Sequence, residues 1–167
     1  MPTMDEVYLG NPLLKKANVK QEFTKEQILE FMAYKNDPVY FAKQHVKIVS
    51  LDEGLVPFQP YDFQEQLIRN FHENRFNICK MPRQTGKSTT SVAYLLHYAV
   101  FNDNVNIGIL ANKAATARDL LGRLQTAYEN LPKWMQQGII AWNKGCLLYT
   151  SDAADDMQCV DLGGRRI

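Results

Sequence analysis

The stretch "MPRQTGKSTT", residues 81–90, constrains this chain more than any other ten residues. A phosphate needs several backbone N–H groups converging on it at the start of a helix, where the dipole and a lysine add positive potential. The pattern GxxxxGK[ST] supplies that arrangement, and its Ser or Thr hydroxyl ligates Mg²⁺. Gly86, Lys87 and Ser88 keep the phosphate and metal end of the pattern, while Met81 stands where the first glycine belongs and Pro82 follows it. That glycine eases the turn from strand to loop, so its loss changes loop shape more than phosphate chemistry. Gly-Lys-Ser-Thr alone also serves as a plain helix cap, but here it follows an apolar run and opens a helical pattern, the setting the motif requires. The expected site places Gln84, Thr85, Gly86, Lys87, Ser88 and Thr89 around ATP, with Ser88 on Mg²⁺.

Hydrophobic periodicity supplies the surroundings. Residues 1–22, with Gly10 and Pro12, read as an irregular arm. Thr24 followed by Gln27 forms a capping-box spacing ahead of a helix bearing Ile28, Leu29, Phe31 and Met32. Asp37-Pro38 restarts a helix that carries Tyr40, Phe41 and His45, with Pro38 at its first position. "VKIVSL" reads as a short strand and "DEGLVPFQP" as a linker. Beyond it come a helix from Asp62 to about Glu73, a strand "RFNICKM", the loop, and a helix from Lys87 to about Phe101. "VNIGILA" (105–111), a helix from about Ala114 to Glu129 and a strand starting in "GIIAWNKG" complete the order, with Val92, Leu95, Leu96 and Val100 expected inward on the helix at 87–101 and Leu120, Leu121, Leu124 and Tyr128 on that at 114–129. Strand and helix alternating in this way predict a parallel α/β sheet. The expected fold class is therefore α/β: an incomplete P-loop NTPase sheet of the RecA type behind a small helical N-terminal segment. The division is 1–57 for the arm and lid-like helices, 58–145 for the ATPase part, and 146–167 for a tail.

Charge and cysteine usage bound the setting. Net charge is +1, but residues 1–145 carry 17 Lys or Arg against 14 Asp or Glu, whereas 146–167 carry two Arg against four Asp. Only Cys79 lies in the body, no Cys/His spacing suggests zinc, and a reducing cytosol is expected. Without an apolar run of about 18 residues, no membrane association is expected.

Two side chains beside the loop point to further chemistry. Arg83, inside it, is placed to stabilise phosphoryl transfer in cis, the other reading being a surface arginine paired with a carboxylate. Gln64, in "PYDFQEQLI", heads the preceding helix, and an amide both donates and accepts as adenine's N6/N7 edge requires. Tyr61 or Phe63 offers a ring to stack on the base, while periodicity equally puts Phe63 in the core. In "ANKAATARDLL", Asn112, Lys113, Thr116 and Arg118 fall at the ligand-binding edge of such a sheet, as contacts to a DNA backbone or as ordinary helix capping and solvation. His45, His72 and His97 fit helical packing or surface positions better than ligand positions.

From "YLGNPLLKKANVK" through "DPVYFAK", "PYDFQEQLI", "CKMPRQTGKSTT" and "GILANKAATARDLL" to "LPKWMQQGIIAWNKG", residues 8–145 resemble the N-terminal part of tailed-phage terminase large subunits of the T-even type. The resemblance implies an ATPase that drives double-stranded DNA through the portal protein into a procapsid, in a ring, with a small terminase subunit. It also implies host cytoplasm as location, visits to the procapsid portal and absence from the mature virion. Gln64 resembles the adenine reader, Lys87 the phosphate lysine, Ser88 the magnesium ligand and Arg83 the cis-acting arginine. No apolar run ending in Asp-Glu follows residue 145, so the chain is expected to be a fragment without Walker B, catalytic glutamate or nuclease domain, and without ATP turnover. A superfamily 2 helicase or restriction-type translocase also pairs an upstream glutamine with such a loop, and a second RecA-like half would mark it. A nucleotide-binding or portal-docking module without turnover is the non-enzymatic reading.

"CLLYTSDAADD" and "VDLGGRRI" resemble translated sequencing-adapter sequence around a short variable segment. Residues 146–167 are therefore expected to be non-native and without ordered structure.

Overall fold

Thr24 and Gln27 open the first helix as their spacing predicts. In the computed structural model, which describes residues 6–19, 22–50, 52–103, 105–143 and 147–149, the Gln27 N–H donates to Thr24 Oγ1 at 3.2 Å and the Thr24 N–H to Gln27 Oε1 at 3.0 Å. Helix α1 (Lys25–Asn36) stops at Asp37 because Pro38 fits only the first turn of a new helix, α2 (Pro38–His45). Asp37 serves both ends: its N–H bonds the Ala33 carbonyl, and its Oδ1 accepts the Val39 and Tyr40 N–H groups at 2.9 and 3.0 Å. Pro38 has no N–H to give the carbonyl four residues back, that of Tyr34. His97 supplies the bond, its Nε2 lying 2.9 Å from the Tyr34 oxygen.

His97 sits in the middle of α4 (Lys87–Phe101), which packs between α3 (Asp62–Glu73) and α5 (Ala114–Glu129) and also meets α2. The core runs continuously through these helices, with Phe41, Ile68, Leu96, Val100, Leu124 and Tyr128 buried in it. Phe101 gathers rings from three helices, at 4.7 Å from Phe31, 5.3 Å from Phe41 and 4.8 Å from His97. The expected inward faces of α4 and α5 hold: Val92, Leu96, Val100, Leu124 and Tyr128 are buried, and Leu95, Leu120 and Leu121 pack against them. The first helix turns otherwise than expected. Phe31 and Tyr34 face the core, whereas Ile28, Leu29 and Met32 are 51%, 72% and 51% exposed.

Residues 7–15 are not the irregular arm expected of 1–22. Strands β1 (Val7–Tyr8) and β2 (Asn11–Lys15) form an antiparallel hairpin. Buried Gln136 ties it down, accepting the Lys15 N–H at 3.1 Å and donating to the Leu13 carbonyl at 3.0 Å. Gly138 permits a close approach here, since a Cβ on it would lie 2.6 Å from Ala17 Cα. The expected linker also folds: its Gly54–Pro57 is strand β4, antiparallel to β3 (Lys47–Ser50).

The protein is mixed α/β, and every described ladder is antiparallel. Neither 75–81 nor 105–111, read as parallel strands, takes part in a ladder. A buried parallel strand needs neighbours on both edges and cover on both faces, whereas Phe76, Ile78 and Leu110 are 83%, 101% and 90% exposed. The third expected strand forms as β5 (Ile139–Trp142), but its partner is β6 (Leu147–Tyr149), antiparallel. The expectation that nothing after residue 145 is ordered therefore fails for 147–149, whose backbone completes that pair; residues 150–167 lie outside the described residues.

Burial lowers the His97 imidazole from 6.5 to about 4, with neighbouring His72 adding to the effect and the Tyr34 carbonyl and Asp37 opposing it. Below pH 6.5 the unfolded chain takes up a proton that the folded chain refuses, so stability falls as pH drops towards 4 and then levels off. The loss over that window is about 3 kcal/mol. Denaturant titrations at pH 7.5, 6.0 and 5.0 should record the decline, and His97→Gln, which keeps a donor for Tyr34, should flatten most of it.

Candidate functional site

The sequence "PRQTG" turns sharply because two of its residues adopt left-handed backbone angles, Gln84 at φ +62° and Gly86 at φ +72°. Gly86 is the N-cap of α4 and offers no side chain to its first turn. The Thr90 N–H, at 2.9 Å, and Thr90 Oγ1, at 3.0 Å, both donate to the Gly86 carbonyl. Thr90 is fully buried, so this pair fixes the cap from below. The N–H groups of Lys87, Ser88 and Thr89 then open towards the loop, as first-turn donors with no partner inside the helix.

Lys87, the first helical residue, bends its ammonium back along the loop to the carbonyls of Met81, at 3.3 Å, and Pro82. Thr85 Oγ1 donates to the same Pro82 carbonyl at 3.1 Å. The loop is thus closed on itself, its entry carbonyls held by the side chains of Thr85 and Lys87. Arg83 and Ser88 are exposed and Thr89 is half-buried. Among the described residues Arg83 has no salt bridge, which leaves the carboxylate-paired reading of it without a partner.

Gln64 lies at the first turn of α3, buried to 5% exposure. Its Oε1 accepts the Tyr61 N–H at 3.0 Å, and its Nε2 donates to the Thr85 carbonyl at 3.1 Å. The structure thereby brings together two segments 21 residues apart, the helix that carries Gln64 and the loop. The φ of +72° favours glycine at position 86, and a Cβ there would crowd Gln64 Nε2, so the carboxamide would have to move aside. Phe63 is 46% exposed rather than core, and it stacks on Tyr61 with centroids 5.8 Å apart and planes at 10°. Periodicity marks Phe63 as inward, but the first turn of α3 stands proud of the core and presents both rings to solvent.

Asn112, Lys113, Thr116 and Arg118 are exposed around the start of α5, where the Lys113 carbonyl accepts the Thr116 N–H at 3.0 Å. They are not joined to the loop by any hydrogen bond or salt bridge among the described residues. Thr90, the anchor of the cap, was missed in the sequence, although its place four residues after Gly86 is the ordinary distance for a Thr hydroxyl to reach a helix carbonyl. A scan against protein-family models finds none that matches this chain.

For a divalent cation, Ser88 is the ligand this loop offers. Among the described residues no three His, Cys, Asp or Glu side chains converge as a metal site.

Gly86→Ala should destabilise the chain by about 2 kcal/mol or more, since left-handed backbone alone costs an L-residue roughly 1–2 kcal/mol and the methyl also displaces Gln64. Comparing its urea midpoint with that of Gly122→Ala, where no atom lies within 4 Å of the added carbon, measures this directly.

Proposed function

We propose that this chain binds Mg-ATP as the nucleotide-binding part of a DNA-packaging motor of the terminase large-subunit type. The observation that carries the reading is the closed loop 82–86 leading into α4, with Lys87 at its mouth and Gly86 in a left-handed cap. Successive N–H groups in a turn that holds left-handed residues, here Gln84 and Gly86, can gather into an anion-binding concavity. The helix terminus and the lysine add the charge that a triphosphate requires.

In this reading Lys87 exchanges its bonds to Met81 and Pro82 for the β- and γ-phosphates, and the N–H groups of Gln84, Thr85, Gly86, Ser88 and Thr89 line the cradle. Ser88 holds Mg²⁺. Exposed, and in no salt bridge among the described residues, Arg83 swings over the γ-phosphate, where its charge counts most as the transition state develops. Gln64 retains one N–H and one lone pair beyond its two bonds, enough for the adenine edge. Stacked Tyr61 and Phe63 flank it as ring surfaces. The finer fold that accompanies this reading is the parallel P-loop sheet, with 75–81 and 105–111 as its strands. The partners are double-stranded DNA, reached through Asn112, Lys113, Thr116 and Arg118, together with a portal protein and a small terminase subunit. The site of action is host cytoplasm at the procapsid portal.

Isothermal titration of the 167-residue chain with Mg-ATP tests the reading. Lys87→Ala should abolish measurable binding, because Lys87 is the cation assigned to the β/γ-phosphates of bound ATP, while Arg83, whose charge counts mainly in the transition state, should on replacement by Ala change affinity less than about threefold, under 1 kcal/mol. Equal ATP affinity in Lys87→Ala and the parent chain would overturn the phosphate role. In a complete motor, Arg83→Ala should lower turnover of bound ATP.

A further inference from the structure

We infer that the Gln64 carboxamide sets the shape of the phosphate loop itself, and so governs binding of any polyphosphate whatever base it carries. The inference rests on the phosphate-loop reading above and assigns Gln64 a positioning role that an adenine reader alone would not have.

Three observations carry it. First, Gln64 is buried and held at both ends of its amide, by the Tyr61 N–H on Oε1 and by the Thr85 carbonyl on Nε2. It is therefore part of the wall and does not hang free in a base pocket. Second, the bond to Thr85 falls on the peptide that joins Thr85 to Gly86, immediately ahead of the left-handed Gly86 that caps α4. A trans peptide is planar, with its C=O and N–H pointing in opposite directions. Holding the Thr85 carbonyl against α3 thus aims the Gly86 N–H away from α3 and into the concavity of the loop. Third, Gly86 lacks the carbon that would collide with Gln64 Nε2, so loop and carboxamide are fitted to one another. Without the bond, the Thr85–Gly86 peptide is free to rotate, and an anion must order it on binding.

The roles separate with Gln64→Glu. A carboxylate keeps an oxygen to cap the Tyr61 N–H, so the start of α3 survives, but it turns a second oxygen on the Thr85 carbonyl and repels it. Affinity for Mg-tripolyphosphate, a probe with no base, should fall about tenfold or more, and affinity for Mg-ATP by at least the same factor, with the thermal midpoint little changed. The Gly86 amide nitrogen and proton shifts should move in the free protein as its peptide reorients. Gln64→Met fills the same volume, makes neither bond and is the second variant should the carboxylate disturb folding; it should show the same loss for tripolyphosphate. A fall in ATP affinity with tripolyphosphate affinity and the Gly86 shifts unchanged would overturn the positioning role while leaving nucleotide binding intact. A parent chain that binds neither probe would overturn the phosphate-loop reading and this inference with it.

Discussion

Pro38 has no N–H, and the carbonyl that this leaves open at Tyr34 is the point on which the packing of the helices turns. A buried carbonyl without a partner is costly, and His97 meets the need from α4, some sixty residues later. The bond joins the α1–α2 corner to the helix that begins at the loop. It also commits the imidazole: a carbonyl only accepts, so Nε2 carries the proton, and burial keeps the ring neutral well below its ordinary range. Phe31, Phe41 and Phe101 pack around the same point. The N-terminal helices are therefore part of one core with α4 rather than a separate appendage.

Helix α4 transmits that rigidity to the site. Its far end is pinned by the aromatic cluster, and its first turn is pinned from below by Thr90 on the Gly86 carbonyl. From the side, α3 reaches across through Gln64, while the Lys43–Glu65 ion pair ties the start of α3 to α2 at 2.5 Å. The loop thus stands between two helices that are both fixed to the core. Short-range bonds from Thr85 and Lys87 settle the remainder of its shape. A cradle for an anion gains from such preorganisation, because less order remains to be imposed when the anion arrives.

The other side of the loop is open. Residues 75–81 approach it and 105–111 follow α4, and neither carries ladder bonds. Ile78 and Leu110 are apolar side chains of the kind that fill a sheet, yet they face solvent. Their sequence character is that of buried strands, and burial requires layers that the described residues do not furnish. Strand character in a sequence is a statement about expected neighbours, and it is realised only where those neighbours exist.

Features set by local chemistry are legible in the order of the amino acids. The reciprocal cap of Thr24 and Gln27, the break at Pro38, the starts of α3 and α4 and the turn before Lys87 all follow from bonds within four residues, so they were legible without a fold. Helix faces were legible where a stripe was unambiguous, as in α4 and α5, and misleading in α1, where apolar residues lie on both sides and only packing selects Phe31 and Tyr34. Phosphate chemistry was visible in Gly86, Lys87 and Ser88 because a short motif fixes donors and charge together. Tertiary structure alone decided that Gln64 grips Thr85, that His97 serves Tyr34 and that Gln136 fastens the N-terminal hairpin. Each of these joins groups from 21 to more than 120 residues apart. No periodicity encodes such a pairing, since a buried polar atom takes whichever partner the packed helices bring within reach.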